Sequence, residues 1–88
     1  MTEPREHRLK RLKMRSMRRG IKEMDLILHH FAQAHLDAMD DAQLDLYDAM
    51  LSENDHDLYQ WVSGQTAAPE AYVGLVSEIV GDLPGSAA

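Results

Sequence analysis

Residues 11–31 read RLKMRSMRRGIKEMDLILHHF. The stretch changes character at Gly20. Before it stand Arg11, Lys13, Arg15, Arg18 and Arg19; after it Ile21, Met24, Leu28 and Phe31 recur at three- and four-residue steps, and His35 continues the series. That recurrence is the mark of a helix with one buried face. Glycine is poor inside a helix and good at a turn that needs positive φ or close backbone approach. The stretch therefore predicts two helices, one basic and one amphipathic, meeting at a corner near Gly20.

The same reading extends both ways. Upstream, Thr2 can cap the first helix, with Pro4 in its first turn and an end near Ser16 or Met17. Leu9 and Leu12 give that helix a thin apolar stripe, while Arg8, Arg11 and Arg15 line another face. Downstream, Asp40 caps a third helix, with Gln43 three residues on as in a capping box. Leu44, Tyr47, Met50 and Leu51 form its buried stripe. Asp55 caps a short fourth helix that holds Leu58, Trp61 and Val62, and Gly64 stands where it stops. Pro69 opens a fifth helix, whose apolar face is Tyr72, Val73, Val76, Ile79 and Val80 and which Gly81 ends. No segment alternates with period two for long enough to be a strand. The expectation is an all-α fold: one compact five-helix domain over residues 1–81 and a flexible tail over 82–88.

Charge is divided as sharply as structure. All nine Lys and Arg residues lie between Arg5 and Lys22. Residues 1–24 carry three acidic groups against those nine, and residues 25–88 carry the other twelve of the fifteen with no basic group. A surface normally mixes its signs, so the basic helix reads as a docking surface for something negative. Nucleic acid fits poorly, because residues 1–30 hold no aromatic to stack on bases and the remainder would repel phosphate. A membrane surface fits poorly too, since residues 5–22 have neither Trp nor Phe. An acidic or anion-containing protein fits better.

Other chemistry is sparse. Cysteine is absent, which removes disulfides, thiolate metal sites and Cys nucleophiles. The longest apolar run is of the Leu26-Ile27-Leu28 kind, too short to span a bilayer, and residues 1–24 lack the apolar core of a secretory signal. A cytoplasmic protein is expected. His30 and His35 are five residues apart, a spacing that points them in different directions on a helix, so no metal is expected. His35 reads as a core-edge residue with a satisfied ring nitrogen. The acids sit at helix caps and outer faces, and no nucleophile elbow or phosphate loop is present, so an enzyme is not expected. Trp61 reads as the centre of the core. Met14 and Met17 read either as core filler or as a pliable binding surface.

Arg18-Arg19-Gly20-Ile21-Lys22-Glu23 admits two readings. In one, Gly20 makes the corner and Arg19 neutralises Glu23 at an i, i+4 step. In the other, Glu23 points away from the stripe of Met24, Leu28 and Phe31, and forms with Arg19 and the bare backbone of Gly20 a small exposed patch that a partner approaches closely.

Arg19-Gly20-Ile21-Lys22-Glu23 also resembles the R-G-x-x-E motif of the bacterial succinate dehydrogenase flavinylation factors, or FAD assembly factors, which are similar to mitochondrial succinate dehydrogenase assembly factor 2. The likeness covers about residues 8–80. It takes in Arg11 through Phe31, Leu51, and Asp55-His56-Asp57-Leu58-Tyr59-Gln60-Trp61. His56 stands where a Pro is common, and Met14 lies where many members carry an aromatic. The resemblance implies a compact five-helix assembly chaperone, not an enzyme; a monomer is expected. It would bind the flavoprotein subunit of succinate dehydrogenase or fumarate reductase and promote covalent attachment of FAD. The chain itself would hold no cofactor stably; the FAD is the client's. The implied contact residues are Arg19, Gly20 and Glu23, with Arg15 and Asp25 beside them. Mitochondrial members carry a targeting extension for which the basic lead-in leaves no room, so a bacterial cytoplasmic member is expected. The alternative is a small nucleic-acid-binding or regulatory module that uses the basic helix.

Overall fold

Pro4 starts the first helix from outside it. In the computed structural model, which describes residues 3–17 and 19–82, Pro4 is the N-cap of α1, Arg5–Arg15. The expectation placed it inside the first turn; its fixed φ suits either place. Thr2 lies outside the described residues. Four helices follow: α2 Lys22–His35, α3 Asp41–Leu51, α4 Asp55–Val62 and α5 Val73–Gly81. Single 3₁₀ turns, Leu36–Ala38 and Glu70–Tyr72, precede α3 and α5. Among the described residues there is no strand, and the five-helix all-α expectation holds. The radius of gyration is 12.5 Å, near the roughly 12 Å of a compact chain of this length.

The core is built on α2, which packs against α1, α4 and α5. Met24, Leu28, Phe31 and Ala32 are its buried side chains, the face that its periodicity predicts. Leu12 of α1 and Leu44, Tyr47, Met50 and Leu51 of α3 complete the centre. Each fully buried side chain of this size contributes about 2 kcal/mol. Asp40 caps α3 in a full capping box with Gln43. Gly64 has φ +83°. Its N–H donates to Trp61 O, and that of Gln65 to Gln60 O, which is the Schellman closure of a helix.

Four expectations need correction. Asn54, not Asp55, caps α4, its side chain accepting from His56 N–H; Asp55 is left free to face elsewhere. Trp61 is not central. It lies half-buried at the rim, stacked on Tyr72 at 5.9 Å between centroids, while Tyr47 and Phe31 are the largest fully buried side chains. Pro69 opens a 3₁₀ turn rather than α5. Val76 and Ile79 face inward as expected and Leu75 joins them, while Val73 and Val80 are exposed. Finally, His35 stacks on Phe31, but its Nε2 is buried without a hydrogen bond, as is Asp82 Oδ2. Of the tail, Asp82 belongs to the end of α5, and residues 83–88 lie outside the described residues.

Candidate functional site: the corner at Gly20

The basic helix is not a free docking surface. Arg8 pairs with Asp45, Arg11 with Asp48 and Glu3, and Arg15 with Asp48. Arg5 reaches Asp41, Lys13 reaches Asp37, and Arg19 reaches Asp55. Six of the nine cations thus face acids of the same chain. The reason is the shared face of Arg8, Arg11 and Arg15, which lies along the acidic side of α3. Each exposed pair is worth about 0–1 kcal/mol, but together they leave the helix little charge to offer phosphate. The nucleic-acid alternative loses its main support.

Arg19 is the most heavily committed of these groups. Its side chain is only 11% exposed and that of Asp55 16%. Nε donates to Asp55 Oδ1 at 2.8 Å, Nη2 to Leu51 O at 2.9 Å and Nη1 to Arg15 O at 3.1 Å. Arg15 and Leu51 are the last residues of α1 and α3, whose terminal carbonyls have no partner within their own helices. Asp55 is the first residue of α4, where the helix dipole favours a negative charge. One guanidinium therefore ties two helix C-termini to a helix N-terminus. Neither reading of Arg19 anticipated this: it does not pair with Glu23, and it is not part of an exposed patch.

The backbone of the corner is fixed by the same acid. Gly20 N–H donates to Asp55 Oδ2, and Arg19 N–H to Asp25 Oδ1. Gly20 does not adopt positive φ; among the described glycines only Gly64 does. What it supplies is closeness, since a Cβ built there would lie 3.1 Å from Asp55 Oδ2. Behind the corner, Ser16 Oγ donates to Leu12 O at 2.8 Å and lies 2.6 Å from Tyr47 Oη. The serine proton being used, Tyr47 is the donor. Burial pushes the Tyr47 hydroxyl up to about 12.

The five residues expected at the contact therefore divide. Arg15, Arg19, Gly20 and Asp25 join one hydrogen-bonded cluster around Asp55 and Asp48. Glu23 stands outside it, exposed in the first turn of α2, with no side-chain hydrogen bond or ion pair among the described residues. Gly20 is exposed as well. Next to them Met17, Asp25, Leu26 and His29 line a shallow hollow, with Met17 41% and Leu26 60% exposed. Met14 is exposed too, so both methionines belong to the surface rather than the core. Asp55 was missed as a site residue because it was taken for a cap. The signal lay in Asn54-Asp55: two residues able to cap stand side by side, and one helix needs only one.

His30 and His35 do converge, against the spacing argument. Their Nε2 atoms lie 3.4 and 3.3 Å from Asp82 Oδ2, at distances that make ion pairs only when the rings are protonated. No group of three side chains able to hold a metal is present among the described residues, and no described helix is long and apolar enough to cross a membrane.

The family described as "Flavinator of succinate dehydrogenase" (Sdh5) matches residues 10–82. The chain belongs to this family. Proteins named "Succinate dehydrogenase assembly factor 2, mitochondrial" are among this chain's relatives. That of Meyerozyma guilliermondii is 49% identical over 61 residues, 69% of this chain and 45% of the relative. That of Schizosaccharomyces pombe is 43% identical over 70 residues, 80% of this chain and 50% of the relative. That of Danio rerio is 37% identical over 73 residues, 81% and 46% respectively. The chain thus spans about half the length of these relatives. They are named as assembly factors, not as enzymes. All three are eukaryotic and mitochondrial, so the family assignment stands without the bacterial qualifier. The matched span contains the whole Gly20 corner and its Asp55 anchor.

Proposed function

We propose that this chain is an assembly chaperone for the flavoprotein subunit of succinate dehydrogenase, or of fumarate reductase, and promotes covalent attachment of FAD to that subunit. The observation that carries the proposal is the family match over residues 10–82; within it, Gly20 and Glu23 are presented to solvent on a backbone held from behind by Asp55. Rigid presentation of a few polar groups beside an apolar anchor is what a specific protein contact needs. Glu23 supplies an exposed charge, and Met17 with Leu26 supplies adaptable apolar surface. Arg19, Arg15 and Asp25 contribute by holding this surface in shape.

The chemistry stays with the client. In this proposal the chain holds FAD at no site of its own. It acts as a monomer and stabilises the client conformation in which attachment proceeds, which is differential binding of one state. A cytoplasmic site of action belongs to the same proposal. In-gel flavin fluorescence of the client subunit, with and without this protein, is the test. Fluorescence that rises on co-expression supports the proposal, and fluorescence independent of the chain rules it out.

A further inference from the structure

We propose that Asp55 is the positioning residue of the Gly20 corner, and that residue 20 must be glycine because of Asp55 rather than because of the client. The inference rests on the assembly function proposed above and deepens it.

The argument is geometric. One carboxylate uses both oxygens on adjacent residues of a chain segment far away in sequence. Oδ1 takes Arg19 Nε at 2.8 Å, and Oδ2 takes the Gly20 N–H. A charged acceptor serving a guanidinium and a backbone N–H makes strong, directional bonds. Asp55 cannot retreat easily, since Arg19 is itself fixed to Leu51 O and Arg15 O. A side chain at position 20 would meet Oδ2 at 3.1 Å, tighter than an ordinary van der Waals contact. Gly20→Ala would therefore push against the anchor from outside, and loss of the anchor would free the corner from inside. Both lead to one result: Glu23, three residues on, is no longer held at a fixed place relative to α1 and α4. A partner binding a corner that has become mobile must order it first, and affinity falls accordingly.

The experiment has two arms, using Gly20→Ala, Asp55→Ala and the double variant. In the isolated chain, amide hydrogen exchange is followed at Gly20, with Leu28 as a report on global opening. Exchange at Gly20, taken relative to that at Leu28, should quicken about tenfold in Asp55→Ala, because Leu28 registers the global loss from the broken ion pair. Unchanged exchange at Gly20 overturns the clamp, whatever any client does. In the second arm, affinity for the flavoprotein subunit is measured well below the melting temperature of every variant. Each single variant should bind about tenfold more weakly, and the double variant no more weakly than Asp55→Ala, because both changes disturb one contact. A double variant weakened about a hundredfold would overturn the proposal, since Gly20 would then serve the client directly. A purely architectural role for Asp55 predicts lowered melting temperatures with unchanged affinity, which also overturns it. If Asp55→Ala does not fold, Asp55→Asn keeps the volume and gives the same tests. A wild-type chain that fails to bind the subunit removes the assembly function, whereas the exchange arm still reports on the clamp.

Discussion

The Asp55 carboxylate and the Arg19 guanidinium meet at 2.8 Å across 36 residues of sequence. Both side chains are largely withdrawn from water. This contact joins the corner between α1 and α2 to the start of α4. It turns a motif that looks like a surface signature into part of the internal framework.

The two charged residues of that motif should behave differently. Arg19→Ala leaves Asp55 without its cation and the terminal carbonyls of Arg15 and Leu51 without their donor. A loss of about 3 kcal/mol in urea unfolding is expected. Arg19→Lys should recover only part of it, because an ammonium lacks the fork that reaches three acceptors. Glu23→Ala should change stability by less than about 0.5 kcal/mol while weakening flavinylation of the client. Equal stability losses for Arg19→Ala and Glu23→Ala would contradict this division.

Asp48 is the hub of the contact between α1 and α3, since it faces both Arg11 and Arg15. Asp48→Asn should cost about 1 kcal/mol at low salt, and less at high salt as screening shortens the range of the lost attraction. Asp57→Asn, on an exposed residue without an ion pair among the described residues, should cost almost nothing at either. Thermal melts at two ionic strengths separate the cases. A salt-independent Asp48 effect would mean packing rather than charge.

Tyr47 should govern alkaline unfolding. Its hydroxyl is raised from 10.0 to about 12 by burial, so the folded state keeps a proton that the unfolded chain releases. Stability is complete below pH 10 and is lost as pH rises toward 12, by about 2–3 kcal/mol in all. Tyr47→Phe should flatten that fall. At neutral pH it should cost about 1 kcal/mol, because the hydrogen bond to Ser16 is gone. An unchanged slope between pH 10 and 12 would assign the alkaline transition to other groups.

Two glycines should respond with opposite signs. Gly64→Ala places a Cβ on a residue with φ +83° and should destabilise by about 1–2 kcal/mol. Gly74 lies inside α5 with open space around its Cβ direction, and Gly74→Ala should stabilise by about 0.5–1 kcal/mol. Chemical denaturation of both variants checks the pair.

Much of the fold was legible because helix signals are local. The stripe of Met24, Leu28 and Phe31, the Asp40–Gln43 box and the Gly64 stop each depend on neighbours within four residues. The misread places are where distant contacts chose between local options. Asn54 and Asp55 can both cap a helix, and Arg19 decided between them by drawing Asp55 away. Trp61 is large and apolar enough for a core, yet stacking on Tyr72 keeps it at the rim. On α5, the expected Val76 and Ile79 are buried, but packing takes Leu75 as their third partner and leaves Val73 and Val80 exposed.

By itself the sequence determined five helices, the corner at Gly20, and a complete separation of charge along the chain, because each is written in spacing or composition. Only the tertiary structure decided what that separation does. Folding lays α1 along α3 and closes the basic segment onto the acids of its own chain. Charges far apart in sequence are near in space, and attraction falls with distance rather than with residue number. At the corner, what faces solvent is Glu23 and the Gly20 backbone, beside Met17 and Leu26, on a frame that Asp55 holds.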